Sequence, residues 1–164
     1  MSVIASKRNP SRFEPIKHAV DLRVLLTALL VRNFGIKDLE HVVRIKYAFG
    51  KDRKEDLPKY IFIMASCKNR IDMLASHIEA NVRAANTIYP VSIGECDQRR
   101  EFQNVAIVNC EQLISELQYI VNMFWVDIND YRQYVEAIDQ QIALIKKWRQ
   151  SDNRIRKKLL KGGI

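Results

Sequence analysis

The stretch Ile16-Lys17-His18-Ala19-Val20-Asp21-Leu22-Arg23-Val24-Leu25-Leu26-Thr27-Ala28-Leu29-Leu30-Val31 decides the fold class. Ile16, Ala19, Val20, Val24, Ala28 and Val31 recur at three- and four-residue steps, the period of a helix face. Leu22, Leu25, Leu26, Leu29 and Leu30 widen that stripe over much of the circumference. A helix apolar on so many sides is expected in the middle of a bundle, or in a bundle that also oligomerises. The apolar run inside it, Val24 to Val31, lies between Arg23 and Arg32 and is far too short to span a bilayer.

Working outward, Ser11 and Glu14 have capping-box spacing, so this helix is expected to start near Ser11 and run to about Asn33. Residues 1–10 read as a flexible basic lead. Leu39, Val42, Val43 and Ile45 suit a short helix, and Gly50 to Asp56 a polar linker. Pro58 opens a second long helix to about Ile88, with Asp56 available as cap. Its stripe is Ile61, Met64, Ile71, Leu74, Ile78, Val82 and Ala85, and Tyr89-Pro90 ends it. Ser92 and Glu95 form another capping pair for a third helix, whose stripe runs from Phe102 through Ala106, Cys110, Leu113, Leu117 and Ile120 to Phe124. After a tight connection at Trp125 to Asn129, Tyr131, Val135, Ile138, Ile142 and Ile145 mark a fourth. The expected fold is therefore all-α. It is an antiparallel four-helix bundle over residues 11–150, with a short helix or loop inserted between helices one and two.

The bulk numbers agree. With 164 residues, 48% hydrophobic residues, 5 glycines and 4 prolines, the chain is one domain with few breakers. Cys67, Cys96 and Cys110 are odd in number and form no CxxC pair, which suits packed thiols in a reducing compartment. The first twenty residues contain no signal-peptide core, and a cytoplasmic protein without membrane contact is expected.

Charge is more informative by place than by size. The net charge is +8, of which residues 1–17 supply +3 and residues 146–164 supply +7, leaving −2 for the rest. Residues 151–164 read as a basic C-terminal tail. A basic cluster on one element is the footprint of a polyanion partner, but also of a solvated, solubilising tail, and composition does not separate the two.

Chemistry-bearing patterns are scarce. His18, His41 and His77 lack a Glu three residues before them, so the Glu-x-x-His motif of metal bundles is missing. His77-Ile78-Glu79 matches half a zinc-deaminase signature whose Pro-Cys-x-x-Cys half is absent. Asp127 and Asp130 read as helix-start residues. Trp125, Trp148, Tyr131 and Tyr134 read as core or interface anchors rather than base-stacking groups, Trp148 being flanked by Lys146, Lys147 and Arg149. Neither a catalytic group, a metal nor a cofactor is called for.

Several short motifs are familiar in their order. They are Ser6-Lys7-Arg8 with Phe13-Glu14, Leu57-Pro58-Lys59-Tyr60, Ala85 to Pro90, Gln98-Arg99-Arg100-Glu101-Phe102, Gln112 to Leu117, and Leu144 to Asp152. Together they resemble the accessory variability determinant (Avd)-like four-helix-bundle proteins of diversity-generating retroelements. These are related to a bundle family encoded in intervening sequences of bacterial large-subunit rRNA genes. The resemblance covers most of the chain, with residues 34–56 as an insertion. It implies a non-catalytic, barrel-like homopentamer with a basic surface, a reverse transcriptase as partner, and template RNA or cDNA as ligand during mutagenic cDNA synthesis. On charge, the binding residues are expected to be Lys146, Lys147, Arg149, Arg154, Arg156, Lys157 and Lys158, joined by Arg99 and Arg100, a pair that suits contacts with neighbouring helices as well.

Overall fold

A computed structural model describes residues 12–46 and 57–162, and all of its regular structure is helical. Five helices pack against one another: α1 (Glu14–Val31), α2 (Leu39–Lys46), α3 (Leu57–Thr87), α4 (Ile93–Phe124) and α5 (Arg132–Gly162). No strand occurs among the described residues. The expected lead at 1–10 and linker at 50–56 lie outside them.

Side-chain contacts fix how the long helices meet. Tyr60 at the start of α3 stacks edge-on against Phe124 at the end of α4, with ring centroids 6.1 Å apart. At the other end of that pair, Arg99 of α4 donates to the Ala85 carbonyl of α3 at 3.1 Å. Arg23 of α1 pairs with Glu79 of α3 at 3.1 Å, and Lys68 of α3 reaches Asn33 just past α1. Between α1 and α5, Phe13 meets Trp148 and Arg32 donates to the Tyr134 hydroxyl at 2.8 Å. In α3 and α4 the beginning of each helix thus lies beside the end of the other.

The main core gathers Leu22, Leu26 and Leu29 of α1 with Ile71 of α3, Leu117 of α4 and Ile138 of α5. A smaller cluster gathers Ile16, Val82, Ala106, Ile107 and Ile145. Each of these leucines, isoleucines and Val82, fully buried, contributes about 1.5–3 kcal/mol. One polar residue crosses this packing. Gln141 is fully buried, lies 2.7 Å from His18 Nδ1 through its Oε1, and donates to the Pro15 carbonyl at 3.1 Å. Both ends of the amide are satisfied, so its burial is tolerated.

Three details correct the sequence reading. In α1 the core face is Ile16, Ala19, Leu22, Leu26 and Leu29, so the expected stripe holds at Ile16 and Ala19 and then leaves the core, Val24 being 65% and Val31 76% exposed. An all-round apolar helix offers several faces, and the bulkier leucines took the inside. The same holds for Ile61 of α3, which is exposed. Second, α1 begins at Glu14 with Phe13 as its N-cap and no side-chain cap, later than the Ser11 spacing suggests. A start there leaves Pro15 in the first turn, where its missing N–H and its ring do no harm; an earlier start would put it inside the helix. Ser11 itself lies outside the described residues. Third, α5 runs unbroken from Arg132 to Gly162, straight through the boundary expected at residue 150. No proline or glycine interrupts it before Gly162.

Other expectations match. Ser92 caps α4, its Oγ accepting from Glu95 N–H at 3.2 Å while Glu95 Oε2 accepts from Val91 N–H and Ser92 Oγ. Trp125, in the left-handed conformation at φ 52°, stops α4, and Asp127 caps the short 3-10 turn Ile128–Tyr131. A short helix does lie between the first two long ones, α2, whose first turn is capped by Asp38 accepting from His41 N–H at 3.0 Å.

Candidate nucleic-acid interface

The C-terminal half of α5 sorts its charges by face. At 3.6 residues per turn, Lys146, Lys147, Arg154, Lys157, Lys158 and Lys161 fall within an arc of about 120°. All six are exposed. The buried residues Ile138, Gln141, Ile145 and Asp152 lie on the opposite side. From Lys146 to Lys161 the cations span about 22 Å of helix axis. Among the described residues none of these six has an ion pair or a side-chain hydrogen bond, and no acid shares the arc. Towards the start of α5 the same outer side carries Glu136 and Asp139 with Arg132, so its net charge changes sign along the helix. Acids at the beginning and cations at the end both suit the helix dipole.

The remaining sequence candidates are placed differently. Arg99, with an 11% exposed side chain, donates to Asp152 Oδ1 at 3.0 Å, and its guanidinium sits 4.8 Å from the centre of the Trp148 ring. Arg100 bonds to Asn153, and Arg156 pairs with Asp97 at 3.1 Å. These three guanidiniums tie α4 to α5 rather than facing outward with the lysines. Arg149 is half-buried at the flank of the cationic arc. Lys161 was not among the expected binding residues, yet it completes the row Lys147, Arg154, Lys161 at seven-residue steps. That spacing was visible in the sequence.

The end of α5 is held in place by a buried polar junction. Asp152, only 9% exposed, accepts from Arg99 and from Gln103 Nε2 at 2.8 Å. Gln103 is 1% exposed, and its Oε1 has no partner. Beside it Trp148 is packed edge-on by Phe13 at 4.9 Å. The single acid among residues 146–164 therefore faces inward and pins the helix, while the cations face out. The same contact brings the start of α1, with exposed Arg12 and Lys17, to the end of the molecule where α5 turns basic. Arg12 and Lys17 thus approach the part of α5 where its cations begin.

Nothing comparable gathers around the other titratable groups. No cluster of three or more potential metal ligands exists among the described residues. His41 and His77 are exposed, and His18 serves the Gln141 contact. All three cysteines are buried and free. Burial pushes the Cys110 thiol up from 9.0 to about 12, with Glu111 and Asp139 adding to it, and burial raises Cys67 and Cys96 too. Such thiols are poor nucleophiles. No helix among the described residues is long and apolar enough to cross a membrane. Comparison with protein-family models, curated proteins and solved structures finds no match to this chain.

Proposed function

We propose that the chain is a non-catalytic accessory protein that binds nucleic acid through the outer face of α5. The observation that carries this reading is the row of six exposed, unpaired cations with no acid among them. A solubilising surface normally mixes both signs, whereas a single-sign row on a rigid element suits a polyanion. The mechanism is electrostatic. Lysine and arginine side chains neutralise phosphates and release condensed counterions, so affinity falls steeply with salt. The architecture we propose beneath it is an antiparallel four-helix bundle of α1, α3, α4 and α5, with α2 as the added helix.

The resemblance to Avd-like proteins supports a fuller reading. In it, the protein works in the cytoplasm as a homo-oligomer, a pentamer in that family, beside a reverse transcriptase and its template RNA or cDNA. The outward valines of α1, Val24 and Val31, offer apolar surface that self-association would cover. Repeating the cationic row around a ring would raise avidity without new contacts. The test is binding of labelled RNA and DNA at two salt concentrations, with the α5 cations intact and replaced by glutamine. Loss of affinity with salt and with the replacements is expected; salt-independent or unchanged binding refutes the reading.

A second reading keeps the bundle as a protein-docking scaffold with α5 merely solubilising it. The same exposed valines, with Phe62 at 71% exposure on α3, favour it. Recovery of a protein partner after nuclease treatment, from a chain with no affinity for nucleic acid, distinguishes the two.

A further inference from the structure

We infer that the α5 face grips nucleic-acid duplexes by their phosphate backbones and does not stack on bases, an inference that rests on the nucleic-acid reading above. The composition of the face is the first reason. Apart from its cations, the exposed positions from 146 to 161 are Gln150, Ser151 and Leu160. No aromatic residue is among them. The one aromatic residue in this stretch, Trp148, is half-buried, with Phe13 against its ring and the Arg99 guanidinium over it. Proteins that hold single strands pair a basic groove with aromatic platforms on which bases stack. Here a single strand would find the charge and not the platform.

Charge density and stiffness give the second reason. A duplex carries one phosphate charge per about 1.7 Å of axis, about twice the density of one of its strands. A face about 22 Å long therefore runs beside about thirteen duplex phosphates, more than enough for six cations. The face belongs to an unbroken helix pinned by Asp152, Arg99 and Gln103, so its cations are already in a line. A duplex is stiff over the same distance, and neither partner must be ordered on binding. A flexible strand would lose conformational freedom for the same contacts. Anionic membranes fit less well. A helix that lies on a bilayer inserts an apolar face, and the apolar side of α5 is already buried within the protein.

The expected behaviour is sequence-independent binding to RNA and DNA duplexes alike. If all six cations engage, the salt slope is about −5 on duplex, against about −4 for a single strand making the same contacts. The test uses the full chain and fluorescence anisotropy with four probes: an RNA duplex and a DNA duplex of about 20 base pairs, an oligouridine of equal length, and phosphatidylserine vesicles. Both duplexes are expected to bind at least about tenfold tighter than oligouridine. Arg154→Gln/Lys158→Gln is expected to flatten the duplex slope by about 2. Oligouridine binding as tightly as the duplexes overturns the duplex inference and leaves the nucleic-acid reading standing. Failure of all three nucleic acids to bind, or preference for the vesicles, overturns that reading and this inference with it.

Discussion

Replacing Asp152 with alanine removes the one acid that holds the basic end of α5 to the rest of the protein. Asp152 accepts from Arg99 at 3.0 Å and from Gln103 at 2.8 Å, and both donors are shielded from water. After substitution the Arg99 cation keeps the Ala85 carbonyl at 3.1 Å and the Trp148 ring, but no counter-charge. Gln103, whose Oε1 already lacks a partner, loses the bond at its other end. Breaking a buried ion pair from one side costs about 3–5 kcal/mol. Both side chains here are about a tenth exposed, so a loss of about 3 kcal/mol is expected. Urea unfolding followed by circular dichroism measures it, and amide exchange should quicken over residues 153–161. Asp152→Asn, which keeps an acceptor of the same shape, should lose less. A double-mutant cycle with Arg99→Ala should give a coupling of about 1–3 kcal/mol. A loss under about 1 kcal/mol with unchanged exchange would refute the reasoning, because surface substitutions cost no more than that. The end of α5 would then be a solvated tail.

Three further outcomes follow from particular groups. Burial works to raise the Glu79 carboxyl, but hydrogen bonds from Arg83 and Arg23 outweigh it and hold the group below its ordinary 4.5. Its stabilisation is complete above that value and lost as pH falls through the lower folded value; with both arginines more than a third exposed it is about 0.5–1 kcal/mol, so Glu79→Gln should match wild type in acid and fall below it at neutral pH. Cys110 should resist thiol reagents in the native protein, since a rise from 9.0 to about 12 leaves about a thousandfold less thiolate; mass spectrometry showing rapid native labelling there would contradict the burial. Tyr131→Phe removes a buried hydroxyl that donates to the Phe34 carbonyl at 2.8 Å, where Phe34 is held at φ 61°; a loss of about 1 kcal/mol in unfolding free energy is expected, and none if that bond does not brace the turn.

Much of this fold could be read along the chain because its signals are local. Ser92 with Glu95, Pro58, Tyr89-Pro90 and the stripe from Ala106 to Phe124 each speak about residues within a few turns. The helix faces of α1 could not be read so, because valines and leucines alternate around it and only the neighbours decide which set goes inside. The basic row was legible as composition, and its face follows from helical spacing once α5 is known to continue past residue 150. For Arg99 and Arg100 the sequence left phosphate binding and contacts with neighbouring helices both open, and for Arg156 it suggested only the first. Their partners Asp152, Asn153 and Asp97 are more than fifty residues away in sequence, and charge counting treats a guanidinium in an ion pair like one facing solvent. The approach of Arg12 and Lys17 to the basic part of α5 likewise depends on the Phe13–Trp148 contact, which no spacing announces.

The most direct test of the α5 interface holds net charge constant and changes only position. Arg154→Gln/Lys158→Gln removes two cations from the outer face of α5, and Lys37→Gln/Lys59→Gln removes two exposed cations outside that helix. Measured by anisotropy on the same RNA duplex at one salt concentration, the first pair should weaken binding by about tenfold or more, and the second by no more than about twofold. Equal losses from the two variants would mean that net charge alone attracts the polyanion, and would contradict a binding site on α5.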